Sequence, residues 1–250
     1  MKLKLTLSAA ACLLSMAAWA QYCPTQAGTT LKYSNIEELP EHVEQVITQT
    51  VDSIYTEGDR TVEIMTSKTV IPGSLKTIPD QKIKVYYTAG NPDATTEYLL
   101  LGPDELRDLV VTQVREEVEA SGQVLSQSDL DQVMANIRPT GKLLLTLDPT
   151  AAADAKIPNA SLRMSIATMN FSFHISNGKV LGRESIEVPA GTFADCLKIT
   201  YIMKQTNPME TVKFYVTEWY APEVGLVKQE MKDKKGNIAS VQTLTAVERP

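Results

Sequence analysis

The sequence predicts a mainly β, α+β fold: a large curved antiparallel meander sheet with a two-helix insertion packed on one face. Three observations predict it. Leu197, Ile199, Tyr201 and Met203 alternate with Lys198, Thr200 and Lys204, and Val212, Phe214 and Val216 alternate with Lys213, Tyr215 and Thr217. This period of two marks half-buried strands. Turn chemistry separates such runs: Asn177-Gly178, Asn207-Pro208 and Asp233-Lys-Lys-Gly-Asn237 all punctuate the chain where tight turns force antiparallel neighbours. Between about residues 103 and 138 the apolar spacing changes to that of helices. Leu106, Leu109, Val110, Val114 and Val118 form one stripe, which on a helix lies along one face.

From the N-terminus, Lys2 and Lys4 precede an apolar run ending at Ala18-Trp19-Ala20. This has the form of a secretory signal, so residues 1–20 read as a signal peptide and Gln21 as the mature terminus. The run is too short for a membrane-spanning helix. Residues 21–250 then read as a single β-rich domain. Thr29–Ser34 is strand-like. Val43–Tyr55 has helical spacing but β-branched composition, which leaves helix and strand both open. "TVEIMTSKTVI" reads as a strand, and "KIKVYY" with "TTEYLLL" as a hairpin. Asp104 can cap a helix from about Glu105 to Ala120, and a second starts after Ser126 or Ser128 and stops before Pro139. In "SLRMSIATMNFSFHIS" the apolar positions switch from even to odd, which a bulge near Ala167-Thr168 would accommodate.

Without the first twenty residues the chain keeps 22 basic and 30 acidic side chains, a net charge of about −8. That disfavours nucleic acid and anionic membrane surfaces, which need clustered cations. Cys12 leaves with the signal, so Cys23 and Cys196 remain. In an oxidising compartment an even pair predicts a disulfide, with two reduced thiols as the alternative.

The stretches "SNGKVLGRESIEVPAGTFADCLKITY" and "TEWYAPEVGLVKQEMKDKKGNIAS" carry a family likeness. Lys179, Val180, Gly182, Glu184, Pro189-Ala-Gly-Thr-Phe193, Cys196 and Lys198, then Glu218-Trp-Tyr-Ala221 and Val224-Gly-Leu-Val-Lys228, resemble the TapB-like proteins, exported bacterial proteins of undefined function. The opening "YCPTQAGTTLKYS" is similar more loosely. The resemblance implies a β-rich exported protein and favours strand for Val43–Tyr55. One departure is Ala194-Asp195, two residues where the pattern has one before the cysteine.

Chemistry is sparse. His42 and His174 are the two histidines, and neither lies in a nucleophile elbow or a short-spaced metal pair. There is no phosphate loop or dinucleotide fingerprint. The expectation is no catalytic residue, no metal and no cofactor. The leading reading is a non-catalytic envelope protein, periplasmic or extracellular, holding lipid or another apolar molecule between sheet and helices. Leu106, Val110, Val114, Val118, Met164 and Met203 are its candidate ligand-facing residues; packing in a closed core is the alternative role for the stripe. A structural or partner-binding protein acting through Trp219 and Tyr220 is the rival class, and an unknown hydrolase the third.

Overall fold

The computed structural model describes residues 21–250 apart from 40, 75–77, 79, 92, 109–110, 112–114, 116–121, 123–125, 167–168 and 207–209. In chain order the strands are β1 (Thr30–Glu37), β2 (Val43–Glu57), β3 (Arg60–Val70), β4 (Gln81–Tyr87), β5 (Thr96–Leu101), β6 (Thr140–Leu147), β7 (Lys156–Ile157), β8 (Ala160–Ile166), β9 (Met169–Val188), β10 (Gly191–Thr206), β11 (Thr211–Ala221), β12 (Gly225–Lys232) and β13 (Ile238–Glu248). Twelve of them pair antiparallel in a ring, while the two-residue β7 lies against β9.

The predicted open sheet with helices on one face is therefore overturned: the sheet is a closed barrel. Closure comes from β1 pairing with β13, from Thr30 opposite Glu248 to Glu37 opposite Ser240. No local pattern reports that pairing, because its partners are more than two hundred residues apart. Closure also leaves the ring without edge strands. The insertion joins β5 to β6, and its helices are short among the described residues. Residues 103–108 are helical, and a second helix spans Gln127–Asn136. Leu106 and Ile137 enter the core where the chain leaves β5 and re-enters β6.

Inward side chains fill the barrel. Leu31 and Tyr33, Val51, Met65, Val85, Leu143 to Leu147 at alternate positions, Leu162 and Met164, Ile175, Leu197 to Tyr201 at alternate positions, Val216, Val227 and Leu244 are all buried. The outer face carries ion pairs along the strands: Asp52 with Lys82 at 2.7 Å, Glu184 with Lys198 at 3.0 Å and Glu230 with Lys228 at 2.6 Å. An apolar inside and a charged outside reverse the polarity of a barrel that crosses a bilayer.

Two local expectations exchange places. Asn177-Gly178 is not a hairpin. Asn177 has φ of 54°, and the pair lies within β9 as a bulge, because Ser176 faces Ile202 and Lys179 faces Thr200. The apolar phase switch in "SLRMSIATMNFSFHIS" is the hairpin: β8 and β9 run back on each other with Ile166 opposite Met169. Ala167 and Thr168 themselves lie outside the described residues.

Candidate functional site

One barrel end is closed by the segment just before β1. Gln21, Tyr22, Cys23 and Pro24 are buried there. The Gln21 side-chain amide donates to the carbonyls of Thr88 and Asn91, both at 3.1 Å, on the β4–β5 connection. The Tyr22 amide donates to the Thr96 hydroxyl at 3.2 Å, and the Tyr22 carbonyl accepts from the Tyr98 hydroxyl. On the opposite wall the Glu223 amide donates to the Gln21 carbonyl at 2.6 Å. Gly225, with φ of 94°, brings the β11–β12 turn against this segment. Any side chain there would meet Tyr98 and Tyr22. Four residues thus strap across the mouth, tied to both sides.

Beneath the strap lies Glu63 on β3, with no exposed surface. Among the described residues neither of its carboxyl oxygens has a hydrogen-bond partner of ordinary geometry. The weakly polar Cys23 thiol faces it, and burial outweighs that contact, raising the Glu63 carboxyl from 4.5 to about 8. Burial, then Glu63, pushes the Cys23 thiol well up. A second interior acid, Glu218, is also buried and raised by desolvation. It differs in being satisfied: it accepts from Tyr201 at 2.9 Å, Tyr220 at 3.0 Å and Gln229 at 2.6 Å. Tyr98 feels the charge of both acids, and its ring centroid is 5.5 Å from that of Tyr220.

A cleft of about 230 Å³ opens beside the same end. Leu147, Ile157, Val180, Leu197 and Ile199 form its aliphatic floor; Thr95, Thr146, Asp148 and Lys156 form its polar mouth. Ala151 and Ala155, on the segment after β6, make one wall. Arg183 joins that wall to the strap. Its guanidinium donates to the Pro149 carbonyl, to the Tyr22 hydroxyl at 2.7 Å and to Asp195 at 3.1 Å.

The predicted site residues scatter. Cys23 and Cys196 are both buried and both free thiols, so the expected disulfide is not present. Leu197 occupies the interior row, so its strand neighbour Cys196 points the other way, whereas the Cys23 thiol faces Glu63 inside. The Cys196 thiol instead donates to the Phe193 carbonyl at 3.4 Å, and burial raises it to about 11. Met164 is core, Met203 is half-buried, and Leu106 closes the core beside the insertion. Val110, Val114 and Val118 lie outside the described residues. Trp219 and Tyr220 straddle the wall. Tyr220 points in to Glu218, while the outer Trp219 is capped by Lys198 and Lys228, 4.9 and 5.1 Å from its ring, and donates to Glu184 at 2.6 Å.

His42 is exposed and pairs with Glu38 at 3.1 Å, which raises its pKa. His174 is lowered by burial and by the nearby Arg163 and Lys204. Neither histidine is placed against a nucleophile. Sequence reasoning missed both interior acids. Glu218 was detectable, since it shares parity with Val216 and Tyr220. Glu63 was not, because the apolar Val62 and Ile64 beside it suggest that it faces out.

Residues 144–244 match the model of a DUF3108-like family. This is less than half of the chain, and it includes the stretches that carried the TapB-like resemblance; the TapB-like name itself does not return. Two solved structures are similar. One is a protein described as exported, with a YmcC-like fold, from Bacteroides fragilis NCTC 9343: TM-score 0.63 at 18% identity, covering 92% of this chain and 100% of that one. The other is described as a lipoprotein from Parabacteroides distasonis ATCC 8503: TM-score 0.62 at 20% identity, covering 92% and 99%. A search of curated proteins finds no match. At such identities the likeness is one of fold: the chain shares its barrel with proteins of these two bacteria.

Proposed function

We propose that this chain is an exported, non-catalytic binding protein that seats a small apolar group in the cleft beside its strapped end. Export is supported by the signal-like first twenty residues and by the exported protein and the lipoprotein that share the fold. A binding role is supported by the cleft, whose aliphatic floor and polar mouth match the general design of small-molecule sites. Its volume limits the ligand. A dry cavity of roughly 150 Å³ takes benzene, and drug-sized sites start near 300 Å³, so about 230 Å³ suits one ring or one short chain. A two-chain lipid is too large for it. The buried acids support the non-catalytic reading, since neither Glu63 nor Glu218 lines the cleft.

The test is a titration of the protein with uncharged alkyl glycosides of increasing chain length, below their micelle concentrations, read by native mass spectrometry. Binding of the short members is expected, with loss in Ala155→Trp, which fills the cleft from its wall. No binding by any member would remove the reading. A partner-binding role is the second reading, favoured by Val46 and Val70. They face each other across β2 and β3 and are 45% and 61% exposed. Cross-linking in the native envelope, with Val70→Glu as the control, addresses it.

A further inference from the structure

A buried carboxyl without a partner is unfavourable in either protonation state, and far more so when charged. Glu63, faced by the weak thiol donor of Cys23, comes close to such a group, and its position determines how the barrel can relieve that cost. The groups that face it are Cys23 on the strap, Tyr87 on β4 and Tyr98 on β5. Among the described residues no cation acts on its ionisation. The barrel wall around Glu63 is fixed by two strand ladders, with Ile54 opposite on β2 and Val85 opposite on β4. The strap has no ladder. It is held by side-chain and turn contacts at Gln21, Tyr22 and Glu223. When the carboxylate forms, water reaches it at least cost by displacing the strap, since displacing the wall breaks strand pairing.

We propose that Gln21–Pro24 is a proton-linked plug, seated while Glu63 is protonated and lifting when Glu63 ionises, so that the barrel end opens and the Cys23 thiol becomes accessible. Tyr98 couples the movement to the interior, because its hydroxyl holds the Tyr22 carbonyl while its ring rests on Tyr220. The proton goes to solvent and no covalent bond changes.

Cys23 reports the opening directly, and the global unfolding constant from urea denaturation at the same pH supplies the standard. The folded chain is labelled with N-ethylmaleimide across a pH series, and Cys23 is quantified by peptide mass spectrometry. Its rate is divided by that of the unfolded chain at the same pH, which removes the effect of thiolate formation and gives an opening constant. The expected constant exceeds that of global unfolding and rises with pH by up to about tenfold per unit between about pH 5 and 8, because opening is linked to the loss of one proton. In Glu63→Met the rise is lost; if that variant does not fold, Glu63→Gln serves. An opening constant equal to that of global unfolding shows that Cys23 is exposed by unfolding only. A rise that is equal in wild type and variant shows that another group controls the strap. Either result overturns the proposal.

Discussion

Replacing Glu63 with methionine should stabilise the protein, by an amount that depends on pH. The carboxyl is ordinary in the unfolded chain and raised from 4.5 to about 8 in the folded one. Its proton is thus held more tightly by the folded state, and the sign follows. Below about pH 4.5 both states are protonated and ionisation has no effect. As pH rises towards about 8 the unfolded state gains from ionising while the folded state does not, so stability falls; above that the loss is constant. A difference of about 3.5 units at 1.36 kcal/mol each sets a ceiling near 5 kcal/mol. Relaxation and water entry reduce such figures, so about 2–5 kcal/mol is expected. Urea denaturation of both proteins from pH 5 to 9, followed by tryptophan fluorescence, measures it. The advantage of Glu63→Met should grow through this range and level off above about pH 8. Glu218 is present in both proteins and cancels in the comparison. An advantage of constant size at every pH would refute the reasoning.

The strapped end and its thiols give further expected outcomes. Gly225→Ala places a Cβ 2.7 Å from the Tyr98 hydroxyl and 3.3 Å from the Tyr22 carbonyl at a φ of 94°, so it should lower the melting temperature by the equivalent of about 2–3 kcal/mol. Gly236→Ala shares the positive φ, at 85°, but meets nothing within 4 Å, and should lose about 1 kcal/mol. Arg183→Met leaves the Pro149 carbonyl, the Tyr22 hydroxyl and Asp195 without their donor; hydrogen exchange should quicken in residues 148–155, with a loss of about 1–3 kcal/mol. Unfolded without reductant, the chain should react at both Cys23 and Cys196 in a maleimide assay, and failure of both to label would restore the disulfide.

The strands were largely legible and the barrel was not, for a physical reason. Alternation along Leu197, Ile199, Tyr201 and Met203 reports which side chains share a face, and these do form one row opposite Tyr220, Glu218, Val216 and Phe214. Alternation does not say whether that face is the concave side of an open sheet or the inside of a ring. The distinction rests on β1 meeting β13, which depends on the summed curvature of all the strands. Local signals were also ambiguous in kind. A left-handed residue followed by glycine serves a hairpin or a bulge equally well, and at Asn177-Gly178 the long pairing of β9 with β10 selects the bulge. Ala194-Asp195 has the same origin. The extra residue relative to the family pattern is taken up as a bulge, with Asp195 at a φ of 54° and Phe193 and Cys196 facing Ile186 and Glu184.

The two interior acids explain why the candidate site was harder to read than the fold. Parity places Glu218 on the apolar row, yet parity alone cannot distinguish a misplaced charge from a satisfied one. What stabilises Glu218 is three donors from β10, β11 and β12, brought together by register: Ile199 faces Glu218 across one ladder, and Glu218 faces Gln229 across the next. Glu63 has the same burial and no such donors, because its cross-strand neighbours Ile54 and Val85 are apolar. Identical chemistry therefore gives opposite consequences. The satisfied acid fixes one arrangement of the barrel wall, since breaking any of its bonds leaves a buried polar group without a partner. Under the plug proposal, the unsatisfied acid gives its surroundings a second arrangement on ionising, reached by moving whatever is least firmly attached. At this end of the barrel that is the four-residue strap and not a strand. Substituting Glu218→Gln should accordingly weaken the fold at every pH, while Glu63→Gln should leave acidic stability nearly unchanged and remove its decline towards alkaline pH.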